Sequence, residues 1–274
     1  MNSGEKEFAY TRADFDNVRK LLYQLTRIHL ADSKDSMVYS RLVRRLRALK
    51  IPGFSQYLHF VQTHEEEVQH FINALTTNLT AFFRESHHFE VLADYLSHHS
   101  VKRIWCAASS TGEEPYSIAM TVAETMGCFD AGIEIIASDI DSGALQTAQA
   151  GIYNEDRIKS IATHQRKQFF LKGKGSQTGN VKVVPELARM VTFRRINLTE
   201  HKWDIDGPVD VIFCRNVMIY FDKPTQLEIL QRMVRLLKPD GLYIAGHSEN
   251  YSHATHLVRH LGKTTYHPAR VQSA

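Results

Sequence analysis

The chain has 274 residues, 43% of them hydrophobic and 23% charged, which fits one large globular domain or two unequal ones. No apolar run approaches the roughly 20 residues that a membrane span requires, and charges recur through the first thirty residues. Neither an integral membrane segment nor a secretory signal is therefore expected. Formal net charge is only +3, yet the run from Arg41 to Lys50 (RLVRRLRALK) holds five basic residues and no acidic one.

Residues 1 to about 75 read as helices. Leu42, Leu46 and Leu49 form a narrow apolar stripe at 100° per residue, with the basic residues around it. After Pro52-Gly53, helical spacing resumes through Phe60, Val61, Val68, Phe71, Ile72 and Leu75. Residues 76–100 read as a linker. From Val101 the grammar changes: VKRIWCA (101–107) is a strand, 113–126 a helix, IEIIAS (133–138) a strand and 141–150 a helix capped by Asp141 or Ser142. VDVIFC (209–214) is a strand, 222–237 an amphipathic helix and LYIAG (242–246) a strand. Strands alternating with helices predict a doubly wound, Rossmann-like α/β sheet over 101–274. Within it, 168–195 reads as an inserted antiparallel β-subdomain. There VKVV and MVTF are strand text beside Gly173, Gly175 and Gly179, and the alternative is a disordered surface loop.

Four stretches carry chemistry. In WCAASSTGEEPYSIAM (105–120) a strand runs through small residues into a helix start, where backbone can approach a nucleotide-like ligand. Ala108 and Ser110 stand where a dinucleotide fingerprint would have glycines, which disfavours NAD. Asp139, ending the next strand, can accept hydrogen bonds from both hydroxyls of a ribose, or simply cap a helix. Together the two favour an adenosine-containing cofactor. CRNVMIYF (214–221) places Arg215, Asn216 and Tyr220 beyond a third strand, and NLTAFFRE (78–85) sets Asn78, Thr80 and Arg84 at alternating positions. Three scattered cysteines, Cys106, Cys128 and Cys214, offer no disulfide framework and no metal pair, consistent with a reducing, cytoplasmic setting. Fifteen histidines include His87-His88, His98-His99 and His253-x-x-His256, but none shows a recognisable zinc spacing, so no metal is expected.

The strings TNLTAFFRE, AASSTGEEPYSIAM, ASDID, FCRNVMIYFDK and LLKPDGLYIAGHSE resemble the CheR family of chemotaxis receptor methyltransferases, in the family's order and over nearly the whole chain. The resemblance implies an enzyme, a protein-glutamate O-methyltransferase. It would transfer the methyl group of S-adenosylmethionine to receptor glutamate γ-carboxylates, leaving glutamate methyl esters and S-adenosylhomocysteine, in sensory adaptation. It implies that Asn78, Thr80 and Arg84 reach the cofactor's amino acid end and reactive centre. Glu113, with Glu114 beside it, would approach the methionine amino group, and Asp139 would hold the ribose. Asn197 and Leu198 would flank adenine, and Arg215 and Asn216 would complete the pocket. Arg84 and Tyr220 would lie nearest the transferred methyl as catalytic residues.

Implied partners are methyl-accepting receptors. The acidic helical methylation region would meet Arg41, Arg44, Arg45 and Arg47; the plainer reading is a solvated charged face. In some members a receptor C-terminal peptide joins the β-subdomain, with VKVV as the candidate edge here. A regulatory adaptor on the helical domain stays open. The expected form is a cytoplasmic monomer that associates with receptor arrays through protein contacts. Two other classes would show different features. A nucleic-acid methyltransferase would carry an Asn/Asp-Pro-Pro-aromatic motif or a nucleophilic Cys, and CRNVMIYF is neither. A non-catalytic S-adenosylmethionine sensor would bind without transferring.

Overall fold

A capping box on the first helix and apolar stripes on all four set the amino-terminal helices, seen in a computed structural model that describes residues 7–269. Helix α1 (Arg12–Thr26) begins at Thr11, whose hydroxyl accepts from the Asp14 N–H while the Asp14 carboxylate accepts from Thr11, a reciprocal capping box. Its buried face is Phe15, Val18, Leu21 and Leu22, and each such side chain contributes roughly 1.5–3 kcal/mol on burial. Helix α2 (Asp35–Leu49) buries Val38, Leu42, Val43 and Leu46; the expected stripe is there, widened by two valines, with Leu49 half-buried. Helices α3 (Phe54–Thr63) and α4 (Glu65–Leu75) complete a helical unit that runs to Thr77 and includes Tyr220–Asp222. Glu67 of α4 is its electrostatic knot. That carboxylate is 2% exposed and takes two bonds from Arg45 of α2 at 2.8 and 2.6 Å, with a third from the Tyr57 hydroxyl of α3 at 2.8 Å.

The second unit is the α/β domain. Its elements are α5 (His87–His98), β1 (Arg103–Ala107), α6 (Glu113–Met126), β2 (Glu134–Asp139), α7 (Ser142–Ala150), β3 (Ile152–Asn154), α8 (Thr163–Phe169), β4 (Phe170–Lys172), β5 (Asn180–Val183), α9 (Pro185–Ala188), β6 (Val191–Arg195), β7 (Val209–Cys214), α10 (Lys223–Leu236), β8 (Leu237–Ala245), β9 (Val258–Gly262) and β10 (Thr265–Pro268). The large sheet has the order β6-β2-β1-β7-β8-β10-β9; the first five strands are parallel, and β10 is antiparallel to both neighbours. Near-continuous apolar text is what a parallel strand needs when both faces are covered, and every residue of β7 is buried. The carboxyl ends align: Ala107 pairs with Ser138 on one side and Cys214 on the other, and Cys214 with Ala245. The central strands and their helices lie close to where periodicity puts them.

The inserted sheet is antiparallel with order β3-β5-β4. Two readings are corrected here. MVTF does not belong to the insertion but forms β6, on the margin of the large sheet beside β2. VKVV is not an edge: β5 is the middle strand, with Val181 and Val183 packed inward, so the free edges are β3 and β4. The turn before β5 needs Gly173, because a Cβ there would sit 2.0 Å from the Gln177 carbonyl oxygen. Among the described residues no helix is long and apolar enough to cross a membrane.

Candidate active site

The chain leaves β1 through a turn in which Ala108, Ser110 and Gly112 all have positive φ, at 63°, 50° and 99°. Gly112 has no alternative, since a Cβ would stand 2.6 Å from the Tyr153 hydroxyl and 2.8 Å from the Ala148 Cβ. The turn is tied to β2, with Ser109 N donating to Ser138 O at 2.8 Å and Ser110 N to Asp139 Oδ2 at 2.8 Å. Asp141 N donates to the other oxygen of Asp139 at 2.9 Å, and the Asp141 carboxylate caps α7 through Gly143 N and Ala144 N. Burial of Asp139 pushes its pKa up to about 6 despite these backbone donors. The hydroxyls of Ser109 and Ser110 are buried with no partner, as expected of polar groups that await a ligand. Ile196 N donates to Asp139 O at 3.0 Å, which sets Asn197 and Leu198 next to that strand end.

The segment before α5 closes on the same place. Asn78 donates to Asp141 Oδ2 at 2.7 Å, Arg84 donates to the Leu79 carbonyl at 3.0 Å, and Phe83 N donates to the Ser117 hydroxyl of α6 at 2.9 Å. Glu113 and Glu114 open α6, where the helix dipole favours carboxylates, and they face different partners. Glu113 accepts from the Thr111 hydroxyl at 2.6 Å and pairs with Arg157. Glu114 is committed inward, accepting from Arg215 at 2.6 Å and from the Cys106 thiol at 3.3 Å.

Arg215 has a fully buried side chain and ties three segments together. Besides Glu114 it reaches Glu85 at 3.1 Å and the Arg84 carbonyl at 2.5 Å. Burial raises the Glu85 pKa, but Arg215, His247 and Asn216 outweigh it and hold the carboxyl down to about 2. Asn216, at φ 58°, donates its side-chain amide to Glu85, and Glu249 accepts the N–H groups of Asn216, Val217, Met218 and Gly246.

Most residues expected at a cofactor site thus converge at the carboxyl ends of β1, β2, β6 and β7. Arg215 acts there as a support for the wall. Tyr220 falls in the helical unit, where its carbonyl accepts from His29 N at 2.8 Å. Of the basic residues on α2, Arg41 donates to the Ala74 and Thr76 carbonyls, Arg45 is held by Glu67 and Arg47 pairs with Glu7, whereas Arg44 is exposed. Sequence reasoning missed Glu85, Glu249 and Arg157; the two glutamates lay inside quoted strings, but Arg157 sits in NEDRIKS, which carries no pattern. Glu85, His87 and His88 bring one possible metal-binding atom each within 4.8 Å of one another, yet the Glu85 oxygens already serve Arg215, Asn216 and His247.

Comparison with known proteins identifies the family. The family described as CheR methyltransferase, SAM binding domain, matches residues 78–267, and the CheR methyltransferase all-alpha domain matches residues 13–76. Chemotaxis protein methyltransferase 2 of Pseudomonas aeruginosa is 56% identical over 270 residues, covering 97% of this chain and 96% of that protein. The chemotaxis protein methyltransferase of Escherichia coli (strain K12) is 50% identical over 264 residues, covering 95% and 92%, and that of Borreliella burgdorferi is 33% identical over 267 residues, covering 91% and 93%. Two family matches that together span both units, and relatives aligned almost end to end, place the chain in the CheR family of S-adenosylmethionine-dependent methyltransferases.

Proposed function

We propose that the protein methylates glutamate side chains of chemotaxis receptors, with the site at the strand ends holding S-adenosylmethionine. The observation that carries the reading is the buried Asp139 carboxylate at the end of β2, flanked by the unpartnered Ser109 and Ser110 hydroxyls and the glycine-dependent turn. These residues fit an adenosine moiety: Asp139 accepts from the ribose hydroxyls, and Asn197 and Leu198 border the base. Glu113, at the start of α6, suits an ammonium group, and the Thr80 carbonyl shares the Arg157 guanidinium with it.

The cofactor supplies a methyl group made electrophilic by its sulfonium. The acceptor, a glutamate with pKa near ~4.3, is already ionised at neutral pH, so the protein needs no strong general base. Its tasks are alignment and exclusion of water. Arg84 orients the incoming carboxylate by a charge-assisted hydrogen bond. Glu85, Arg215 and Glu114 keep the segment that bears Arg84 in place. For Tyr220 the family resemblance alone carries an assignment near the methyl group. On α2, exposed Arg44 offers positive charge to an acidic helical receptor, whereas Arg47 shares its charge with Glu7. A receptor peptide that joins the small sheet would pair with β3 or β4.

The deciding experiment transfers tritiated methyl from S-adenosylmethionine to receptor-bearing membranes and then applies alkali. Label on the receptor that leaves as volatile methanol is the expected result. Label that survives base would point to a nitrogen acceptor and end the glutamate assignment.

A further inference from the structure

Arg157 lies in the 3-10 turn Glu155–Ile158, directly after β3 of the small sheet. Its guanidinium reaches two groups of the candidate site: the Glu113 carboxylate, whose side chain is 1% exposed, and the carbonyl of Thr80 at 3.1 Å. Arg84 meanwhile donates to the carbonyl of Leu79, so two guanidinium groups engage consecutive peptide carbonyls at the site's edge. The Arg157 side chain is 43% exposed, and a guanidinium has five N–H donors; the Glu113 and Thr80 bonds both come from one terminal nitrogen and leave the other donors uncommitted to them.

The cofactor's amino acid end is a zwitterion. A carboxylate such as Glu113 matches its ammonium, but the adjoining α-carboxylate then needs a cation of its own. From the placement of Arg157 against Glu113 we infer that Arg157 and Glu113 form a two-point clamp, in which Glu113 takes the α-ammonium and Arg157 the α-carboxylate. Arg84 is left to face the acceptor. This rests on the reading of the strand-end site as the cofactor site. It makes Arg157 a specificity-determining residue: it gives the site its preference for a cofactor that carries an amino acid over the bare thioadenosine. Charge-assisted bonds to a partly exposed guanidinium are screened, so the preference is moderate.

The test compares two ligands by calorimetry on the full chain: S-adenosylhomocysteine, and 5′-methylthioadenosine, which lacks the amino acid. Arg157→Ala should weaken S-adenosylhomocysteine about tenfold and leave methylthioadenosine within about twofold, and Arg157→Lys should recover part of the loss. In turnover assays the cofactor KM should rise while kcat holds. Unchanged or tighter S-adenosylhomocysteine binding in Arg157→Ala would overturn the clamp, as would an equal loss for both ligands, the mark of a structural role. Glu113→Gln and Asp139→Asn separate the two levels. If they weaken S-adenosylhomocysteine but Arg157→Ala does not, the clamp alone fails; if they too bind normally, the site assignment fails with it.

Discussion

Glu113 and Glu114 are chain neighbours with opposite tasks. Glu113 presents its carboxylate to Arg157 and the Thr111 hydroxyl at the site, whereas Glu114 neutralises Arg215 in the interior. No sequence pattern separates them, because both stand at a helix start where acids are favoured; only the position of Arg215 decides. Arg84 has only local ties, a bond to the Leu79 carbonyl and a 4.0 Å approach to Glu85, with its side chain one-third exposed. Arg84→Ala should therefore lower methyl transfer by about a hundredfold or more while changing folding stability by less than about 1 kcal/mol, as turnover and urea denaturation would read it. Asp139 carries a pH dependence. Its folded pKa is raised to about 6, so its own contribution to stability is present below the unfolded value and is lost as pH rises through about 6. Ligand binding runs the other way, since accepting two ribose hydroxyls needs the ionised form. S-adenosylhomocysteine affinity should fall as pH drops below about 6, approaching a tenfold loss per unit, and Asp139→Asn should flatten that slope while lowering affinity throughout. A titration that shows no change between pH 7 and pH 5 would refute the role.

At the scale of elements, α2 shows how a basic run divides its work. Arg41 and Arg45 brace the helical unit from within, and Arg44 is left facing solvent. Glu67→Ala removes the partner of a mostly buried guanidinium and of the Tyr57 hydroxyl, and should destabilise the helical unit by about 3 kcal/mol in denaturant titration. Arg44→Ala should change stability by under about 0.5 kcal/mol, yet weaken a salt-sensitive association with receptor. Equal effects of the two substitutions on stability would contradict this division. The buried parallel strands were readable because two covered faces demand unbroken apolar text. Strands β9 and β10 were not: in β9 only Val258 is buried, and such an edge leaves no alternation to read. Likewise β5 and β6 both read as short strands, and only pairing sends one to the small sheet and the other to the large one.

Across the whole molecule, the site was legible where it depends on backbone geometry and illegible where it depends on distant charge. The small-residue turn and Asp139 follow from the rule that ligands meet α/β sheets at the strand ends. The support beneath them does not, because Arg215 finds Glu114 and the Arg84 carbonyl 101 and 131 positions away. That distance has a consequence for biosynthesis. Glu85 and Glu114 leave the ribosome long before Arg215 is made, and Glu249, which gathers the N–H groups of residues 216–218, comes later still. A nascent chain that buried those glutamates early would hold uncompensated charge. The pocket wall can form only once nearly the whole α/β domain has been translated. The cofactor therefore cannot template an early folding stage; it selects the completed fold.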